Sequence, residues 1–294
     1  MFGELFGAYL VDNGKLNRDQ FVQVKNTMKS ARVKLGLIAV AEKLLTISQA
    51  DEVNRIQARE DKRFGDIAVE KGYLTDTQVG HLLSLQGNPY LQFIQAVTEK
   101  DFMTIDEVET ALKEYQALNG FTDSEIADIK TGDVDKISSL FIKTDNPLAD
   151  ELMALAVRNV VRFISTEVSI SKSTSTPSLN FEHLATQKVY GDHNILLGFS
   201  GDDTSLLSIA NPFAKEEFTA IDEDSFDSVC EFINCINGLF ATKLSNEDVN
   251  IDMEPPVFFN NGSISSDLVY VLPLTIAGAN TNLIVCIDSD LCIK

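Results

Sequence analysis

SFDSVCEFINCINGLFATKL, residues 225–244, decides how the C-terminal half of this chain folds. On a wheel at 100° per residue, Phe226, Val229, Ile233, Ile236, Phe240 and Leu244 fall on one side, a stripe as wide as a core-facing helix surface. Asp227, Glu231, Asn234 and Gly238 gather within about 60° on a face well away from it. The segment is an amphipathic helix with a polar platform on its outer side. Glu231 and Asn234 stand three residues apart, so both tips can reach one point.

The segments on either side of this helix give the rest of the domain. PLADELMALAVRNVVRFI (147–164) carries Leu148, Leu152, Leu155, Val157, Val160 and Phe163 at helical spacing. EVSIS (167–171), HNILLGF (193–199) and TSLLSIA (204–210) read as strands, the last two joined by a tight turn at Gly201-Asp202-Asp203. After the 225–244 helix, DLVYVLPLTIA (267–277) and TNLIVCID (281–288) read as a second hairpin turning through Gly278-Ala279-Asn280. A helix, hairpin, helix, hairpin order predicts an α+β domain over 145–294, a mainly antiparallel sheet with helices on one face.

The first 117 residues follow a different rule, a period of 29. Phe6, Leu35, Phe64 and Phe93 hold it, Gly7, Gly36 and Gly65 follow the first three, and Leu16, Leu45, Leu74 and Met103 hold it again. Next come Asn17, Thr46, Thr75 and Thr104, each three residues before Gln20, Gln49, Gln78 or Glu107. These are four capping boxes in register, and each marks a helix start. Each unit reads as short helix, turn, longer helix, with turns such as Asn13-Gly14 and Lys71-Gly72. The array predicts an all-α helical repeat domain over 1–117. Turn signals at Asn119-Gly120 and Thr131-Gly132 make 118–144 a helical connector, with a degenerate fifth repeat as the alternative.

Composition narrows the function. The chain has 294 residues and a formal charge of −20. Residues 1–117 hold 14 Lys and Arg against 17 Asp and Glu, which leaves 10 against 27 for the remainder. So acidic a C-terminal half repels phosphate backbones and anionic lipid, which disfavours nucleic-acid and membrane-surface roles. No apolar run is long enough to span a bilayer, and the start lacks the features of a signal peptide, so a cytoplasmic protein is expected. Cys230, Cys235, Cys286 and Cys292 show no CxxC spacing, and His81, His183 and His193 pair with none of them. Neither a structural zinc site nor a disulfide framework is expected, and the cysteines read as small buried hydrophobes.

Glu-x-x-Asn occurs by chance about once in a chain this long, and a second copy stands at Glu247 to Asn250. The bare pattern by itself favours a solvated helix face over a working pair. Its companions change that. The segment DSVCEFINCING with the later Pro255-Pro256 resembles the chemotaxis phosphatase family of CheC and CheX: Asp or Ser, three residues, Glu, two residues, Asn, and a proline some two dozen residues on. Asp227, Glu231 and Asn234 fit, Gly238 stands where that family commonly has glycine, and the copy at Glu247 lacks these companions. With one such helix, the chain looks like CheX. The proline offset and the Ser/Thr-rich SISKSTSTPSLN (169–180) depart from the family pattern.

The resemblance implies a phosphatase for the aspartyl phosphate of a CheY-like receiver, which brings its own Mg²⁺ and Lys. It assigns Asn234 to orienting the attacking water, Glu231 to docking on the receiver's Lys, and Asp227 and Gly238 to supporting the face and letting the partner come close. It also implies a homodimer through the C-terminal domain. A catalytically silent receiver-binding scaffold is the alternative. RFGDIAVEKGYLTDTQVGHLLSLQ (63–86) resembles the helical repeat of type II secretion and pilus-assembly ATPases, some of which bind cyclic di-GMP. That resemblance offers Arg63, and more weakly Lys34, as the opening cation of a nucleotide motif, so a cyclic di-GMP or secretion-type adaptor is the third reading.

Overall fold

The computed structural model describes residues 1–30, 32–60 and 62–294. It divides into two compact units, Phe2–Gly132 and Asp133–Lys294. The stretch expected as a connector is shared between them, with one of its helices in each unit.

The first unit contains nine helices among the described residues: α1 (Phe2–Asp12), α2 (Arg18–Ser30), α3 (Leu35–Ala41), α4 (Ile47–Gln57), α5 (Phe64–Glu70), α6 (Asp76–Ser84), α7 (Pro89–Glu99), α8 (Ile105–Asn119) and α9 (Asp123–Thr131). The second helix of every pair starts at its capping box. Asn17 and Gln20 exchange reciprocal hydrogen bonds, and full boxes cap α4, α6 and α8. A fifth box, Thr122 with Glu125, starts α9.

The 29-residue register also appears in the backbone. Gly14, Lys43, Gly72 and Asp101 all have positive φ and stand at the end of a short helix. Gly7 and Gly65 pack on the residue 14 positions later, and Gly36 packs most closely on Phe64 of the next unit. A Cβ on Gly7 would enter the Phe21 ring, and one on Gly65 would come within 2.7 Å of Val79. The periodic glycines therefore let neighbouring helices touch, within a unit at Gly7 and Gly65 and between units at Gly36. Phe2, Phe6, Phe93 and Tyr115 meet edge-on in the buried centre.

The second unit opens with α10 (Val134–Phe141) and α11 (Pro147–Asn159), the latter running into a π-helical turn, Val160–Ile164. Next come β1 (Val168–Ile170), β2 (Thr174–Gly191), β3 (Ile195–Gly201), α12 (Asp203–Ala214) and α13 (Glu223–Ser245). The chain finishes with β4 (Ile251–Met253), β5 (Val257–Ile276), β6 (Ala279–Ile287) and β7 (Cys292–Ile293). Every strand pairing is antiparallel, in the order β1-β5-β6-β3-β2-β4 with β7 on β5. The unit is the expected α+β domain.

Two features differ from the sequence reading. TSLLSIA is helical, inside α12. Asp202 caps it by accepting from the Ser205 N–H at 2.8 Å, and Leu206, Ile209 and Ala210 then bury one helical face. A short apolar run fits either period, and the cap decides between them. From Thr174 onward the Ser/Thr-rich stretch belongs to β2, which pairs with β5 from Thr174 to Thr186. This extra pairing closes β5, β6, β3 and β2 into a ring. Phe181, Leu184, Leu196, Ile264, Val271 and Ile284 cluster on the ring's side of the sheet. The opposite side, through Phe199, stacks on Phe232 of α13.

Candidate functional site

α13 is set by its N-terminal cap and its apolar stripe. Asp222 and Ser225 form its capping box, and the whole expected stripe from Phe226 to Leu244 is buried. That seating fixes the rotation of the helix and therefore what faces outward. Asp227 and Glu231 are exposed, while Asn234 and Gly238 are half-buried. The four stand along one outer face, as their spacing predicts.

Their surroundings differ. Glu231 and Asp227 border a cleft of about 530 Å³ with Cys230, Pro256, Val257 and Phe258. Pro256, the distant proline of the pattern, is thus brought beside Glu231 by tertiary structure. Phe258 stacks on Phe226 with ring centroids 4.2 Å apart. A Cβ on Gly238 would meet nothing within 4 Å, so no neighbour in this chain requires a glycine there. Burial pushes the Cys230 thiol up to about 11, with the charges of Asp227 and Glu231 adding to the shift.

Asn234 is held from below by a residue that the sequence reading did not single out. Its Oδ1 accepts from Gln187 Nε2 of β2 at 2.8 Å. The same Nε2 donates to the Glu254 carbonyl at 2.8 Å, and Gln187 Oε1 accepts from Asn237 Nδ2 at 2.9 Å. Gln187 and Asn237 are each 1% exposed. Gln187 lies 47 positions from Asn234, and no local pattern links them. Asn237, a polar residue beside the buried stripe, was the one available signal.

Other expected groups are placed as follows. Cys230 and Cys286 are buried, but Cys235 and Cys292 are exposed, so the buried reading fails for two of the four. Arg63 forks onto Asp66 through Nε and a terminal nitrogen at 2.9 and 3.2 Å, and Lys34 reaches Glu99 at 2.6 Å. Both cations proposed for a nucleotide motif thus already face a carboxylate.

Among the described residues, Glu182, His183 and Asp203 are the one group whose spacing could hold a metal ion, their ligand atoms lying within 4.8 Å of one another. His183 Nε2 is already 2.6 Å from Asp203 Oδ1, and its Nδ1 is 2.7 Å from Asn260 Oδ1. Asp203 also sits in the first turn of α12, where the helix dipole disfavours a cation. The geometry is that of a hydrogen-bonded fastening of α12 to the sheet. Among the described residues no helix is long and apolar enough to cross a membrane.

Residues 184–276 match the family model described as chemotaxis phosphatase CheX. The matched span holds Gln187, all of α13 and Pro256. Among solved structures, a CheC-like superfamily protein from Shewanella sp. PV-4 has 18% identity and a TM-score of 0.44, covering 49% of this chain and 99% of that one. Chemotaxis protein CheX from Vibrio vulnificus has 15% identity and a TM-score of 0.42, over 48% of this chain and 99% of its own. The CheX-CheY-BeF3-Mg+2 complex from Borrelia burgdorferi has 17% identity and a TM-score of 0.39, with coverages of 48% and 97%. No curated protein matches the chain. The C-terminal unit carries a CheX-type region.

Proposed function

We propose that the protein hydrolyses the aspartyl phosphate of a CheY-like receiver domain, with α13 inserted against the receiver's phosphorylated site. The observation that carries the reading is the outer face of α13. It holds an exposed carboxylate and, one turn on, an amide whose orientation the sheet beneath fixes. Both lie inside the CheX match.

Hydrolysis needs a water in line with the phosphorus and compensation of charge more than it needs a protein nucleophile. The water oxygen forms the new P–O bond, and the aspartyl carboxylate leaves with the electrons of the old one. Asn234 suits the work on the water, because a neutral amide forms hydrogen bonds without repelling the phosphoryl oxygens. Glu231 suits a charge-assisted contact with the receiver's Lys, which sets the docking register. The Mg²⁺ belongs to the receiver. Asp227 flanks the contact, Gly238 leaves room for the partner's backbone, and two copies of the chain pair through their C-terminal units.

The test follows the decay of a phosphorylated CheY-like receiver with Mg²⁺, alone and with catalytic amounts of the protein. Wild type accelerates the decay, Asn234→Ala loses the acceleration while still binding the receiver, and Glu231→Ala chiefly raises KM. Equal loss of binding in both variants refutes the division of roles. No acceleration with any receiver leaves α13 a docking surface at most.

A further inference from the structure

Two buried side-chain amides, Gln187 and Asn237, lie beneath Asn234 in an otherwise apolar layer between α13 and the sheet. Burying amides costs free energy unless their hydrogen bonds are made, and an incomplete polar network is less stable than an apolar filling of the same space. This network is incomplete, because Asn237 Oδ1 is buried with no partner. Apolar residues would serve packing better, so the arrangement calls for a reason other than stability.

Its hydrogen-bond polarity supplies one. A backbone carbonyl can only accept, so the 2.8 Å contact with Glu254 fixes which end of the Gln187 amide is the nitrogen. That nitrogen also faces Asn234, so Asn234 must present its oxygen inward. The Gln187 oxygen in turn needs a donor and finds Asn237 Nδ2. One carbonyl, between β4 and β5, therefore sets the orientation of three amides. At the outer end, Asn234 keeps Oδ1 toward the sheet, which leaves the N–H donors of Nδ2 outside that contact.

We propose that Gln187 is a positioning residue: it holds the Asn234 amide in the one orientation that offers donors, rather than acceptors, to the water and the phosphoryl group. This rests on the phosphatase reading and adds to it the polarity of the working group. An amide free to turn over would spend part of its time with a lone pair toward the anionic phosphoryl oxygens. A fixed donor costs no reorganisation when the reaction occurs.

The experiment measures kcat and KM for receiver dephosphorylation with the full chain, using wild type, Gln187→Met and Gln187→Glu. Methionine keeps the length but cannot donate, so kcat falls about tenfold, the loss of one hydrogen bond's worth of orientation, while KM stays within about twofold. The glutamate variant gives a pH signature that packing alone does not produce. A protonated carboxyl can donate to Asn234 Oδ1, whereas a carboxylate repels Oδ1 and attracts Nδ2, which turns the amide over. The ratio of its kcat to that of wild type therefore rises as pH is lowered from about 8 toward about 5.5, across the range a buried carboxyl titrates. The receiver's own pH dependence cancels in the ratio.

If wild type does not accelerate decay, the phosphatase reading fails and this inference fails with it. If wild type is active and Gln187→Met retains its kcat, or changes only KM, the inference alone is overturned. Should Gln187→Met not fold, the glutamate variant decides: a ratio independent of pH overturns the proposal, and a ratio rising toward acid supports it.

Discussion

Gly238→Ala separates what the fold needs from what the partner needs. The residue lies well inside α13, where glycine is about 1 kcal/mol less favourable than alanine because of the backbone freedom it loses on folding. A Cβ here would meet no neighbouring atom within 4 Å. The Thr242 hydroxyl bond to the Gly238 carbonyl, at 2.8 Å, involves only backbone at this position and survives the change. The variant should therefore be more stable by about 0.5–1 kcal/mol, a rise of about 1–4 °C in Tm for a unit of this size. The same methyl group projects from the face that carries Glu231 and Asn234. Forcing a methyl into a close protein contact costs about 1–3 kcal/mol, so KM for the phosphorylated receiver should rise at least about fivefold. The assays are thermal unfolding by circular dichroism and the receiver-decay measurement on the same preparation. A lower Tm would mean that the position is not open within the chain. A higher Tm with unchanged KM would mean that the partner does not approach this face.

Two other predictions concern the fold. Lys43 adopts φ 58° at the repeat position where Gly14 and Gly72 stand, so Lys43→Gly should relieve left-handed strain and stabilise the first unit by about 0.5–1 kcal/mol. Its exposed 3.8 Å contact with Glu109 contributes little against that gain, and urea unfolding reads the difference. Asp222 is held below its ordinary range by the hydrogen bonds it accepts from the Ser225 backbone and side chain. A folded-state pKa below the unfolded one gives stability that is present above about pH 4 and lost as pH falls through the folded value. Asp222→Asn, which can still cap but does not titrate, should flatten the decline in Tm measured from about pH 5 to about pH 2; an unchanged decline would show that the cap does not contribute.

The repeats were legible because every signal in them is local. Four boxes each span four residues, and their register repeats through the backbone down to the left-handed residues at Lys43 and Asp101. The polar face of α13 was legible for the same reason, since a helix of known pitch fixes which side chains share a side. TSLLSIA was misread because seven residues hold too few turns to separate the two periods, and the deciding contact was the Asp202 cap.

Sequence by itself determined the helical array, the α+β character of the second unit and the line Asp227, Glu231, Asn234, Gly238. Only the tertiary structure decided that β5 returns to pair with β2 and close the ring, that Pro256 comes beside Glu231, and that Gln187 holds Asn234. These three join residues from about 25 to more than 90 positions apart, and at such separations a hydrogen bond or contact is set by how the layers pack. Periodicity reports which face of an element is apolar. It carries no record of which polar atom on another element will lie beneath that face.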